Sequence, residues 1–152
     1  MKELNRIFIE GTAKVPQIDF DHKSGELILS GRSIPENAAK VYEPVLEWVN
    51  LYTATPSTTT NLRLNLEYFN TASTIWIAKI IRNLSNIRRP DHVLFIHLYV
   101  DIEDSETLDQ DEVRDLIGSI TDNITDPGLS IGVKIHAVDE TGKVIKESLV
   151  FI

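Results

Sequence analysis

Leu62-Arg63-Leu64-Asn65-Leu66-Glu67-Tyr68-Phe69-Asn70-Thr71-Ala72-Ser73-Thr74 changes its period part-way along. Leu62, Leu64, Leu66 and Tyr68 alternate with Arg63, Asn65 and Glu67, the two-residue period of a strand with one buried face. The alternation stops at Asn70-Thr71, and Ile75, Trp76, Ile80, Ile81 and Leu84 then follow at helical spacing. A strand therefore runs into a helix across a polar elbow of Asn70, Thr71, Ser73 and Thr74. Such an elbow collects hydroxyls at the free N–H end of a helix, where an anion is favoured. Asn70 or Thr71 also suffices as an N-cap, so spacing alone leaves both a structural and a functional reading open.

Composition bounds the rest. A chain of 152 residues with 42% hydrophobic and 25% charged residues has ordinary globular usage, and one domain over residues 1–152 is expected. The net charge of −8 disfavours a generic hold on nucleic acid or an anionic membrane. Without cysteine there are no disulfides, no thiol chemistry and no cysteine-ligated metal. The N-terminus has no signal-peptide core, and no apolar run approaches the ~20 residues of a membrane span. A cytoplasmic protein is the expectation.

Upstream of the elbow, Arg6–Ile9, Lys14–Phe20 and Glu26–Ser30 read as strands, with a turn at Asp21–Gly25. Ser33 and Glu36 have capping-box spacing around Pro35, and a helix carrying Ala38, Val41, Tyr42, Val45, Val49 and Tyr52 should follow. Pro44 lies inside that stripe and is expected to kink the helix. Arg32 and Asn37 are not needed by this cap and remain functional candidates. Residues 53–60, polar and without periodicity, read as a surface loop.

Downstream, Val93–Val100 is apolar on both faces except for His97, as in an interior strand. An acidic run follows: Asp101, Glu103, Asp104, Glu106, Asp109, Asp111, Glu112 and Asp115. As a calcium loop it fails, because Glu106 stands where the sharp turn needs glycine. A third helix capped by Thr107 and Gln110, with Val113, Leu116, Ile117 and Ile120 on its core face, accounts for it. The tail, 131–138 and 143–152 around Asp139–Gly142, reads as a β-hairpin. The predicted class is α/β (α+β mixed sheet), with helices mainly on one face and a C-terminal hairpin.

No catalytic constellation emerges. His22, His92, His97 and His136 are not at metal spacing and read as structural histidines. No phosphate loop, nucleophile elbow or zinc helix is present. No cofactor and no enzymatic activity are expected.

Three blocks in order, Gly31-Arg-Ser-Ile-Pro-Glu-Asn-Ala38, Tyr42-Glu-Pro-Val-Leu-Glu-Trp48 and Leu66-Glu-Tyr-Phe-Asn-Thr71, resemble the SiaC family of bacterial regulatory phosphoproteins over about residues 7–100. The resemblance implies a fold similar to STAS-type anti-anti-sigma factors. It also implies a partner switch: a serine/threonine kinase and a PP2C-type phosphatase act on the threonine that corresponds to Thr71, and the unphosphorylated form binds and activates a diguanylate cyclase. Asn70, Ser73, Thr74, Arg32 and Asn37 are then candidates for the partner surface. The family's elbow usually runs Asn-Thr-Ser-Ser-Ser-Lys, so Ala72 and Ile75 depart from it. A STAS-like domain holding a small ligand at the same helix end is the alternative expectation.

Overall fold

The computed structural model describes residues 4–101 and 129–151. Seven strands form one mixed sheet in sequence order: β1 (Ile7–Ile9), β2 (Gln17–Asp21), β3 (Glu26–Ser33), β4 (Thr59–Phe69), β5 (Val93–Asp101), β6 (Ser130–Val138) and β7 (Val144–Phe151). β3, β4, β5 and β6 are parallel, while β1–β2–β3 and β6–β7 are antiparallel. Parallel neighbours need crossovers, and helices supply two of them. α1 (Ala38–Ala54) joins β3 to β4, and α2 (Thr71–Leu84) joins β4 to β5. The expected third helix and most of the acidic run lie outside the described residues.

Strand alternation sorts the sheet into two chemistries. Ile18, Phe20, Leu27, Leu29, Leu62, Leu64 and Ile96 face the helices. Tyr42, Val45, Val49 and Tyr52 of α1 and Ile77, Ile80, Ile81 and Leu84 of α2 close over them. Registers keep this layer continuous, with Ile18 opposite Leu29, Leu29 opposite Leu64, and Leu62 opposite Ile96. The helix runs on through Pro44, whose apolar neighbours Tyr42 and Val45 are fully buried.

Two local expectations are corrected. Ser33 does not cap α1. It is the last residue of β3 and fully buried, Glu36 pairs with Lys14 at 2.9 Å, and the cap is Asn37, whose side chain accepts from Lys40 N–H. Residues 53–60 are not all surface loop: α1 extends to Ala54, β4 begins at Thr59, and Thr60 is buried. Its hydroxyl bridges Tyr52 Oη at 2.8 Å and His92 Nε2 at 2.9 Å, which is why a polar side chain is stable there.

The other sheet face is polar. Glu26 holds Arg63, and Arg63 donates to Tyr99 Oη at 2.8 Å. His97 and His136 are buried, stacked at 5.1 Å and hydrogen-bonded at 2.8 Å, with Asn61 and Glu147 at the outer nitrogens. Burial first, then the charge of Arg63, pushes His97 down to about 3.

Two measurements test this frame. Gly25 sits at φ 73°, and an added Cβ would stand 2.3 Å from the Thr59 carbonyl oxygen. Gly25→Ala is therefore expected to destabilise by on the order of 2–3 kcal/mol, read from the urea midpoint. His97 is neutral when folded but protonates near pH 6.5 when unfolded, so the unfolded chain binds more protons below that pH. Stability is expected to fall as pH drops from about 6.5 towards 3, and His97→Gln should flatten that slope in thermal melts at several pH values.

Candidate functional site: the β4–α2 elbow

The elbow is shaped where the sheet stops supporting β4. β5 pairs with β4 only as far as Leu64, and the β3–β4 register shifts between Gly31 and Arg32. Gly31 takes φ 95°, where glycine has no Cβ penalty. Past the shift the alternation no longer predicts burial. Tyr68, expected on the core face with Leu62 and Leu64, is 63% exposed, and Phe69 is 52% exposed. Ile75, expected in the helix core stripe, is 54% exposed. Trp76 is half-buried and stacks on Tyr42 at 6.3 Å.

Asn70 then ends the strand and caps α2. At φ −93° and ψ 175° it is extended, and its side-chain oxygen accepts from Ser73 N–H at 2.9 Å. Its own N–H donates to the Ser33 carbonyl at 3.0 Å, tying the helix start to the end of β3. Thr71 is the first helical residue.

The three elbow hydroxyls differ sharply. Ser73 is fully buried, and its Oγ lies 2.8 Å from the Ser33 carbonyl and 2.7 Å from Asn70 Oδ1, its single proton serving one acceptor or the other. It supports the elbow from beneath, so the expectation of Ser73 on a partner surface is corrected. Thr74 is exposed, and its hydroxyl donates to the Asn70 carbonyl at 3.2 Å. Thr71 is exposed, and its hydroxyl makes no hydrogen bond among the described residues. Only Thr71 offers an accessible oxygen with nothing to give up.

Arg32 lies opposite Tyr68 in register, exposed, with Glu67 at 3.3 Å. Asn37 is occupied in capping α1, and no described contact brings it to the elbow. The first turn of α2, Thr71–Thr74, has neither acid nor base. Sequence reasoning missed the apolar rim: alternation counts Tyr68 as core and gives Phe69, on the opposite face, no role, while helical spacing counts Ile75 as core. The glycine at 31 was the available signal of a break in register.

No group of three or more metal-binding side chains occurs among the described residues, and no helix there is long and apolar enough to cross a membrane. An open groove of about 680 Å³ lies at the carboxyl ends of β3–β6, with Glu67, Phe69, Tyr99, Asp139 and Glu140 in its lining, and neither Asn70, Thr71 nor Ser73 belongs to it.

A mixed α/β sheet thus carries, at the start of α2, an exposed and unused hydroxyl next in sequence to exposed apolar side chains. The chain belongs to the SiaC family of regulatory phosphoproteins, whose model matches residues 9–120. It is similar to apo-SiaC from Pseudomonas aeruginosa, at 26% identity and a TM-score of 0.56 over 84% of this chain and 98% of that one. It is also similar to a chain in the crystal structure of the diguanylate cyclase SiaD with its activator SiaC from the same organism. That match has 25% identity and a TM-score of 0.59, over 86% of this chain and 99% of the other. An uncharacterised protein of Pseudomonas aeruginosa strain UCBPP-PA14 is 34% identical over 70 residues, covering 46% of this chain and 56% of that relative's length. The match therefore spans little more than half of that relative.

Because the cap rests on Asn70 and the Thr71 hydroxyl is unused, the two substitutions should separate. Asn70→Ala is expected to cost about 0.5–2 kcal/mol, whereas Thr71→Ala should leave the denaturation midpoint unchanged within error.

Proposed function

We propose that this protein is a phosphorylation-controlled regulator whose unmodified elbow docks on an effector of the diguanylate cyclase class. A serine/threonine kinase adds phosphate to Thr71 and a PP2C-type phosphatase removes it. The observation that carries this reading is the state of the Thr71 hydroxyl: exposed, unbonded and beside the exposed Tyr68, Phe69 and Ile75. Family membership and the SiaD complex of a similar chain support the choice of effector. The family's regulatory role is the reason for a non-enzymatic, cytoplasmic assignment.

Energetics decide how the switch works. Phosphate adds about −1.5 to −2 charges, and a helix N-terminus stabilises an anion by only ~0.3–1 kcal/mol. Moving a complex from nearly all bound to nearly all free needs about 5.5 kcal/mol of differential affinity. The helix dipole is too weak to be the switch. A dianion set among Tyr68, Phe69 and Ile75 has to be desolvated against apolar surface on docking, which reaches that range. Phosphorylation thus blocks a surface and leaves the fold alone, since Asn70 and Ser73 hold the helix start without Thr71.

Thr71→Glu is expected to weaken binding of a diguanylate cyclase from the source cell at least tenfold, with circular dichroism and melting temperature unchanged, while Thr71→Ala binds as the parent does. Equal binding by the two variants, together with no phosphate on Thr71 by mass spectrometry of protein from its own cells, refutes the proposal. Thermal stabilisation by a small ligand would then favour the ligand-binding alternative.

A further inference from the structure

Beneath the elbow, three buried side chains from three elements form a hydrogen-bonded chain that ends at the half-buried Asn70. Tyr42 Oη of α1 lies 2.5 Å from Ser33 Oγ of β3. Ser33 Oγ donates to Ser73 Oγ of α2 at 2.7 Å, and Ser73 Oγ donates onward to the Ser33 carbonyl or Asn70 Oδ1. Tyr42, Ser33 and Ser73 are all fully buried. The proton count gives the chain a direction. Ser73 spends its proton on a carbonyl-type oxygen, Ser33 spends its own on Ser73, and Tyr42 must therefore donate to Ser33. Burial raises the Tyr42 phenol above its usual range, which keeps that donor protonated.

Nothing about core packing requires this chain. Tyr42 already fills space against Trp76, and a phenylalanine would do the same. What the hydroxyl adds is a fixed direction, and one end of the chain lands on the residue that bonds the α2 cap.

We propose that Tyr42 is a positioning residue for the elbow: through Ser33 and Ser73 it fixes the first turn of α2, and so the place where Thr71 is presented. The meaning of that placement for switching rests on the Thr71 reading above, but the placement itself does not. Removing the Tyr42 hydroxyl leaves Ser33 Oγ without its donor and loosens a turn that makes no other polar contact with α1 among the described residues.

The test is amide hydrogen exchange on the full chain carrying Tyr42→Phe, Ser33→Ala, or both. Exchange at Ser73 and Thr74 is expected to speed up about three- to tenfold in each single variant, while Leu94 and Ile96 in β5 stay unchanged. The double variant should be no faster than the faster single, because one chain is broken only once. Equal acceleration in β5 would reduce Tyr42 to a packing role and overturn the proposal, as would multiplicative effects in the double variant or no local change at all. Failure of Thr71 to take phosphate leaves this exchange pattern standing, so the two readings fail separately.

Discussion

The carbonyl of Ser33 joins the parts on which the site depends. It accepts the Asn70 N–H at 3.0 Å and the Ser73 hydroxyl at 2.8 Å, so the end of β3 holds the start of α2. No loop intervenes: Phe69 ends β4, Asn70 caps, and Thr71 is helical. Two parallel strands that end together must shed their helices at the same edge of the sheet. The α2 cap therefore lands on β3's last residue. Without that acceptor, the half-buried Asn70 N–H would lose its partner at a cost of about 1–3 kcal/mol, and Ser73 Oγ would be left with Asn70 Oδ1 alone.

The same tie explains why the apolar rim is exposed. β4 is gripped on both sides up to Leu64 and on one side beyond it. A strand with one neighbour and a register shift twists away from the sheet, and Tyr68 leaves the core layer its sequence period assigns it, joining Phe69 in solvent. Chains bury such residues when they can, so aromatics at 63% and 52% exposure beside a helix start are the feature on which the proposed docking rests. The polar sheet face obeys the opposite rule. There, Arg63, Tyr99 and the two histidines satisfy one another within the fold.

The sequence was most legible where one periodicity ran unbroken. Leu27–Leu29, Leu62–Leu64 and the α1 stripe from Tyr42 to Tyr52 sit where their spacing puts them. It was least legible where a side chain answers to something distant. Ser33 looks like a cap until the buried hydroxyls forty and nine residues away are known to claim it. Thr60 looks like loop until Tyr52 and His92 enclose it. At the elbow, spacing located the hydroxyls but could not rank them. Ser73, Thr74 and Thr71 are equivalent on paper, and only the approach of β3 separates one buried, one bonded and one free.

Under the proposed function, that separation gives stability and signalling to different atoms. Capping is done by Asn70 and Ser73, and the Thr71 hydroxyl contributes nothing to it, so the group open to modification is the one the fold can spare. The N–H groups of Thr71 and Ala72 have no intrahelical partner, and a phosphate on Thr71 would find them within its own turn. That contact is worth ~0.3–1 kcal/mol at most, enough to keep the helix start intact and far short of a docking energy. The neutral first turn matters equally: with no acid there to repel phosphate and no lysine to neutralise it, the added charge is felt in full by whatever covers Tyr68, Phe69 and Ile75. Where the family's usual elbow has a lysine, Ile75 replaces a charge that would offset phosphate with apolar surface that phosphate spoils. Under the proposed switch at Thr71, the departure therefore widens the energy gap between the phosphorylated and unmodified states.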